Sequence, residues 1–492
     1  AFGYNANMLV TSGYYSADVT LNKYLTLSHT GRVDRISTLP TENQTFFYPS
    51  LGFNSIVTEY VKLGPISLLK LRGAYANVKD GLTQSTIGAA GASVLGYGEN
   101  YSSVYNGPSY ANAEPYSTPL GYNNAPAAYY TNTLSNAALD RNSREEFELG
   151  ADIGLFKNMV NVEFTYFNVK EGPLIFARPI SETSGYTAQQ VNGIVTRRKG
   201  VEITLSADPF KNKTGLRWNP MINFSTLRER WVKFYTDENG NELTQLDPWR
   251  QIGDRVDEIN NVGYLYSQDG QIINDAGGRP IRLASVNGNA RKLLGHMDPD
   301  FVWSFINRFS VKNWTLQFQF DGRVGGVIAN YIQRQTFRGG RHIETTEGAM
   351  GIARLEDTKG NRTWVGEGVQ LVSGTIKTDD YGNITNYNEL VFKQNDTKTF
   401  LQDWISRYYQ DDETNLMSRT FAKLREITLT YKVPLKSNSF FNQMTVSLVA
   451  RNLLYFAEKK DVDLDRYIGR QGSSDFDTPT TKRYGVNFNF TF

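Results

Sequence analysis

Phe147-Glu148-Leu149-Gly150-Ala151-Asp152-Ile153-Gly154-Leu155-Phe156-Lys157-Asn158-Met159-Val160-Asn161-Val162-Glu163-Phe164-Thr165-Tyr166 is two alternating runs around one turn. Phe147, Leu149, Ala151, Ile153 and Leu155 fall on one side of an extended chain, and Glu148, Gly150, Asp152 and Gly154 on the other. After Lys157-Asn158, the apolar Val160, Val162, Phe164 and Tyr166 alternate with Asn161, Glu163 and Thr165. A period of two is the signature of a strand with two unlike faces, and a two-residue turn makes its flanking strands antiparallel. The construction recurs around Lys312-Asn313, where Leu316, Phe318 and Phe320 oppose Gln317, Gln319 and Asp321. It recurs at the end of the chain, where Tyr484, Val486, Phe488, Phe490 and Phe492 oppose Gly485, Asn487, Asn489 and Thr491. The fold class is all-β.

Composition narrows the partners. Among 492 residues, 52 Lys and Arg stand against 50 Asp and Glu, a net charge of +2. That balance argues against a protein that binds nucleic acid by neutralising phosphates. Cysteine is absent, which excludes a disulfide scaffold and a thiolate metal site. No apolar run approaches the length of a membrane-spanning helix, but a transmembrane barrel needs only short alternating segments. The chain opens Ala-Phe-Gly-Tyr-Asn, with no basic region followed by an apolar one.

Thirteen strands are expected, near residues 2–11, 17–29, 46–57, 67–77, 145–156, 159–168, 200–209, 216–228, 300–311, 314–325, 419–433, 443–454 and 482–492. The connections run about 5, 16, 9, 67, 2, 31, 6, 71, 2, 93, 9 and 27 residues, so short and long alternate. Short turns then lie at one end of the sheet and long loops at the other, the topology of an outer-membrane barrel with short periplasmic turns. In lipid every backbone polar group is paired internally, so the sheet must close. The apolar side chains then face the bilayer, and Gln317, Gln319, Asp321, Asn161 and Glu163 face a wet lumen. An odd count does not fit a complete bacterial barrel. The expectation is that strands preceding residue 1 complete the wall; a fourteenth strand within 385–395 is the competing reading. Phe492, closing an aromatic strand, fits the end that barrel-assembly machinery reads.

Several segments resemble the SusC/RagA family of TonB-linked outer-membrane transporters of the Bacteroidota. Phe47-Tyr48-Pro49-Ser50-Leu51-Gly52-Phe53 and Leu69-Lys70-Leu71-Arg72-Gly73-Ala74-Tyr75 are similar to two of its strands. Ser184-Gly185-Tyr186, Val191-Asn192-Gly193 and Arg198-Lys199-Gly200-Val201-Glu202-Ile203 follow in family order. Phe421-Ala422-Lys423-Leu424-Arg425-Glu426-Ile427-Thr428-Leu429-Thr430-Tyr431 resembles the penultimate-hairpin strand, and Arg451-Asn452-Leu453 and Thr478-Pro479 complete the tail. The resemblance implies a 22-stranded barrel around an N-terminal plug, of which residues 1–492 would be the C-terminal wall. Plug, regulatory-like domain and TonB box are not in this sequence, so gating would depend on parts outside it. The implied partners are a SusD-like surface lipoprotein, the TonB complex, the remaining barrel strands, the bilayer, and a glycan or peptide ligand. No cofactor is implied.

Catalytic signatures are missing: there is no G-x-S-x-G, H-E-x-x-H or Gly-Lys dipeptide. His29, His296 and His342 are far apart and read as loop or strand-end residues. Asp461, Asp463 and Asp465 begin like a calcium loop, but Arg466 stands where glycine is needed and Gly472 where glutamate is needed. That stretch, and Asp411-Asp412-Glu413, read as solvated acidic loops. The 78–144 loop carries Tyr97, Tyr101, Tyr105, Tyr110, Tyr116, Tyr122, Tyr129 and Tyr130 among small polar residues. Tyrosine with small polar residues is a recognition composition, so these are candidates for contact with ligand or lipoprotein, or for packing on each other. Three functions remain: TonB-energised import of a large nutrient, a passive porin-like channel, and a soluble β-rich glycan-binding protein.

Overall fold

The computed structural model describes residues 8–80, 132–210 and 215–492, except 38, 238, 437–438, 468 and 475–477, together with the backbone of 85–86, 106–107, 116–117 and 129–130. The main sheet has 14 strands, and most follow one hydrogen-bonded path in chain order. Along it lie β1 (Val10–Leu21), β2 (Leu25–Ile36), β3 (Thr45–Ile56), β4 (Ile66–Asp80), β5 (Asn142–Leu155), β6 (Val160–Pro179) and β7 (Ala188–Ala207). The path continues through β8 (Leu216–Lys233), β9 (Phe301–Val311), β10 (Trp314–Val324), β11 (Phe421–Val433), β12 (Gln443–Ala457) and β13 (Arg483–Thr491). Thr133–Leu134 pairs beside β7 off this path. The end strands β1 and β13 each have one neighbour on it.

The chain forms two compact units: Ala1–Asn158 with Glu163–Val201 and Glu229–Thr244, and Met159–Val162 with Glu202–Arg228 and Gln245–Phe492. In the first, Val19, Leu27, Phe53, Gly73 and Leu149 form one row across β1 to β5. The Phe53 ring occupies the space a side chain at position 73 would need, a Cβ there falling 2.2 Å from Phe53 Cε1. Aromatic cover of a strand glycine pins register. In the second unit the corresponding row is Trp218, Phe309, Leu316, Leu429, Leu448 and Val486, across β8 to β13. Trp218 stacks on Phe309 at 6.0 Å, and Trp314 meets Tyr431 at 4.6 Å near the short turns. Such rings suit the rim of an apolar belt.

Much of both rows is exposed: Val19 is 56%, Leu27 47%, Leu448 55% and Val486 56% accessible, while Trp218, Phe309 and Leu316 are half-buried. Each side chain left in water forgoes roughly 1.5–3 kcal/mol of burial, and a contiguous apolar surface of this kind marks contact with another apolar phase.

Several sequence expectations need correction. The first two strands lie at Val10–Leu21 and Leu25–Ile36 rather than 2–11 and 17–29. Ser12-Gly13 looks like a turn, yet Tyr14 and Tyr15 continue the ladder, and the reversal falls at 22–24, where Asn22 adopts φ 51°. Residues 2–7 lie outside the described residues. The expected 31-residue loop is mostly strand, because β6 runs on to Pro179 and β7 starts at Ala188. Ladder hydrogen bonds persist there without an apolar alternation to announce them. With connections at 37–44 and 57–65 of similar length, short and long no longer alternate strictly. Finally, Val391–Gln394 pairs with Val369–Ser373 in a separate small sheet, so it is no fourteenth member of the wall. His29 is also mid-strand, in β2, rather than in a loop or at a strand end.

Much of the second unit outside the wall is folded loop. It carries α1 (Tyr331–Arg338), α2 (Gly348–Thr358) and α3 (Leu401–Tyr408). One apolar cluster there gathers Leu265, Ile273, Leu283, Val369 and Leu390, and another Leu401, Trp404 and Ile405. The Asp411-Asp412-Glu413 run sits inside this assembly rather than in a solvated loop. Asp411 takes a bidentate bond from Arg282 at 2.7 Å on each arm. Asp412 pairs with Arg334 at 2.9 Å and Glu413 with Lys292 at 2.6 Å. Three successive carboxylates thus tie three distant segments together, a role set by cations remote in sequence.

Candidate functional site on the polar face

Opposite the apolar row, the second unit presents a polar face. Gln317 and Gln319 face Thr428 and Glu426 across β10 and β11, and Asp321 faces Lys423. A bulge between Leu424 and Glu426 follows. A bulge re-aims side chains that would otherwise alternate, and here Lys423, Arg425 and Glu426 all engage groups of this face. Asn452 on β12, beside the bulge, takes φ 55°, a conformation asparagine tolerates better than most residues.

The bulged Arg425 is the centre of an ion cluster. Its guanidinium donates to Asp321 at 2.8 and 2.5 Å, and to Asp465 at 2.5 and 2.8 Å. Lys423, which is 2% accessible, reaches Asp463 at 3.3 Å, Asp465 at 3.1 Å and the Thr480 hydroxyl at 2.5 Å. That hydroxyl and the Thr480 N–H donate to Asp463 at 2.6 and 2.7 Å. The Arg425 hydrogen bonds, against the cost of burial, hold the Asp465 carboxyl down to about 2. For Asp463, burial works against ionisation but the Thr480 bonds and Lys423 outweigh it, and its pKa is lowered.

This is where two separate sequence candidates meet. Asp321, read as lumen-facing, and Asp463 and Asp465, read as the start of a calcium loop, belong to one cluster. Their oxygens are met by an ammonium, a guanidinium and a hydroxyl rather than arranged as the oxygen cage calcium takes. Asp461 is exposed. Among the described residues no group of three or more His, Cys, Asp or Glu is placed to hold a metal. Beside the cluster a cavity of about 520 Å³ is lined by Glu202, Thr204, Asn223, Ser304, Asp321 and Tyr467, among others. Thr204 donates to Asn223 at 2.9 Å and Asn223 to Ser304 at 2.8 Å, so hydrogen bonds join polar side chains of three neighbouring strands, amid apolar lining from Phe224, Val302 and Phe421.

A second cation is fixed against the backbone of Tyr467, which lines that cavity. Arg419, 1% accessible, donates to the carbonyls of Met297 at 2.9 Å, Gly469 at 3.1 Å and Tyr467. Burial and the neighbouring Arg323 push its pKa down to about 10.

In the first unit, Arg72 donates to Thr165 at 2.8 Å and lies 3.4 Å from Asp152. Thr165 therefore marks the polar face of β6, and alternation puts Glu163 and Asn161 on the same side. Asn192, part of the family-like Asn-x-Gly region, exchanges two 2.8 Å bonds with the Asp140 backbone. A Cβ at Gly193 would fall 2.4 Å from the Phe234 carbonyl, so that position has to be glycine for the strand to approach.

Of the loop tyrosines, Tyr97, Tyr101, Tyr105, Tyr110 and Tyr122 lie outside the described residues, and for the other three only the backbone is described, with Tyr116 opposite Tyr130 and Ser117 opposite Tyr129. Phe492 packs against Phe440 and Phe441 of the 434–442 turn at 5.4 and 5.1 Å. The sequence reading missed Lys423, Arg425, Arg419 and Thr480. Lys423-x-Arg425 was visible as a basic pair at strand spacing, whereas Arg419 and Thr480 carry no local signal.

Alternating faces, short turns and a large folded loop region define a wall segment of an outer-membrane β-barrel. Residues 3–251 match the model of a family described as TonB dependent receptor-like, beta-barrel. The chain belongs to that family, whose members are outer-membrane transporters of Gram-negative bacteria rather than enzymes. It is 28% identical over 223 residues to TonB-dependent receptor P3 of Formosa agariphila, covering 40% of this chain and 22% of that one. To TonB-dependent receptor P39 of the same organism it is 22% identical over 474 residues, covering 86% of this chain and 40% of that one. The RagAB peptide transporter shares the fold with a TM-score of 0.66 at 17% identity, over 99% of this chain and 47% of that one. The closed-closed state of the RagAB peptide importer gives 0.64 at 18% identity, over 98% and 48%. The chain thus spans less than half the length of these relatives.

Proposed function

We propose that this chain is the C-terminal wall of an active importer, in which a large nutrient, an oligosaccharide or a peptide, moves along the polar face. The remaining strands, a plug and a TonB box would come from elsewhere in the protein, and a SusD-like lipoprotein would cover the long loops. The observation that carries the reading is the contrast between the faces of β8 to β13: an unbroken apolar row on one side, and on the other a polar face with a cavity and a fixed ion cluster. Outward apolar and inward polar alternation is what a lipid-embedded, water-filled wall requires. The folded loop region supports capture of a bulky ligand rather than free diffusion, and the RagAB resemblance supports a lipoprotein partner.

The test is uptake by the intact producing bacterium of a fluorescein-labelled casein digest and of a labelled mixed-glycan digest. Loss of uptake of one of them on gene deletion, and equally on collapse of the proton gradient, is expected. Uptake that needs the gene but survives an uncoupler would mean a passive pore.

A further inference from the structure

A second cavity on the polar face, about 530 Å³, is lined by Arg425, Glu426, Arg451, Arg466 and Arg483 with the 478–481 segment. Its charge follows from register. Glu426 on β11 stands opposite Arg451 on β12, and Arg451 opposite Arg483 on β13. Like charges directly opposite on one face of a sheet are unfavourable, so Arg451 and Arg483 need an anion between them. Glu426 supplies one, at 2.7 Å from Arg451 Nε. Arg425 brings no surplus, since Asp321 and Asp465 hold it. Arg483 donates to the Thr481 hydroxyl at 3.3 Å. Arg466 opens onto the same space from the 464–466 turn. Among the described residues neither Arg466 nor Arg483 has a carboxylate partner. Among the described residues the cavity therefore holds two guanidinium groups without a carboxylate partner, beside the Arg451-paired Glu426 and the hydroxyls of Thr478, Thr480 and Thr481. Guanidinium forks match the planar, doubly accepting edge of an oxyanion.

We propose that this cavity is a binding site for carboxylate-bearing oligomers, so that the ligand moving along this face is acidic. The site rests on the import reading for its purpose but not for its measurement. Arg466 and Arg483 grip successive carboxylates while Arg451 remains balanced by Glu426. Binding weakens with salt, because both groups are solvent-facing and their attraction is screened.

The experiment uses the full-length transporter purified in detergent. Hexaglutamate and an oligogalacturonate serve as carboxylate probes of peptide and sugar origin, with hexaglycine and maltohexaose as neutral counterparts, all by calorimetry. Tighter binding of at least one carboxylate probe than of its neutral counterpart is expected, weakened at least tenfold by Arg466→Gln/Arg483→Gln and by raising salt from 50 to 500 mM. Whichever carboxylate probe binds identifies the ligand backbone. Arg466→Gln alone, on an exposed turn, carries the same expectation with a smaller loss if the double variant fails to assemble. Equal affinity for acidic and neutral probes, or undiminished binding in the variants, overturns the proposal, including the case where an acidic segment of the same protein already fills the cavity. Charge-selective binding without energy-dependent uptake would remove the import reading and leave this site standing.

Discussion

Asp465 shows how a single residue changes meaning between sequence and structure. In the chain it is the third carboxylate of an acidic run; in the fold it is the partner of Arg425 and Lys423. Its carboxyl lies at about 2, against an ordinary 3.8. A depressed pKa adds stability that is full above the unfolded value and lost as pH falls through the folded one. The wild type's advantage over Asp465→Asn, measured as a chemical-denaturation midpoint of the folded barrel, is therefore expected to stay constant from pH 7 to about 4 and to shrink between 4 and 2, by about 2 kcal/mol. A flat difference down to pH 2 would show that the cluster leaves Asp465 unshifted. The acidic run and the Lys423-x-Arg425 pair were both legible, but their partnership was not. It depends on a bulge and on a loop that returns 40 residues later in the chain.

At the level of elements, alternation was a good guide wherever one face had to be apolar. β3 to β5 and β8 to β13 fall close to where the pattern of two places them, and the Lys312-Asn313 turn is where it was expected, with Lys312 at φ 50°. It failed in β1, where a Ser-Gly pair mimicked a turn, and along the outer parts of β6 and β7, where no apolar face is required and the ladder continues regardless. It also said nothing of how the long loops fold, because their order comes from contacts between distant segments. Asp411 illustrates this. With 4% side-chain exposure and a bidentate bond from Arg282, it holds a half-buried cation, and removing one partner of such a pair costs roughly 3 kcal/mol. Asp411→Asn is expected to speed amide exchange around 282 and 411 on the order of 100-fold while leaving the ladders of β9 and β10 unchanged. Unaltered exchange in the loop would mean that the pair contributes nothing to its order.

For the molecule as a whole, the sequence carried the two-faced wall and the family motifs, and the structure added what joins the motifs: the Asn192 clamp, the close approach at Gly193 and the Arg425 cluster. The claim beneath every functional statement is that the apolar face meets lipid and the polar face meets water. The described face pairs make it testable position by position, and a sequence without cysteine allows clean spin labelling within this chain. Nitroxides are placed one at a time at Val446, Leu448, Val486 and Phe488, and at Thr445, Ser447, Asn487 and Asn489, in the full-length protein in bilayers. Collision with oxygen, which concentrates in lipid, and with an aqueous nickel chelate is then measured at each. The account predicts high oxygen and low nickel accessibility at the first four and the reverse at the second four. Nickel accessibility that is uniform, or higher at 446, 448, 486 and 488, would contradict it.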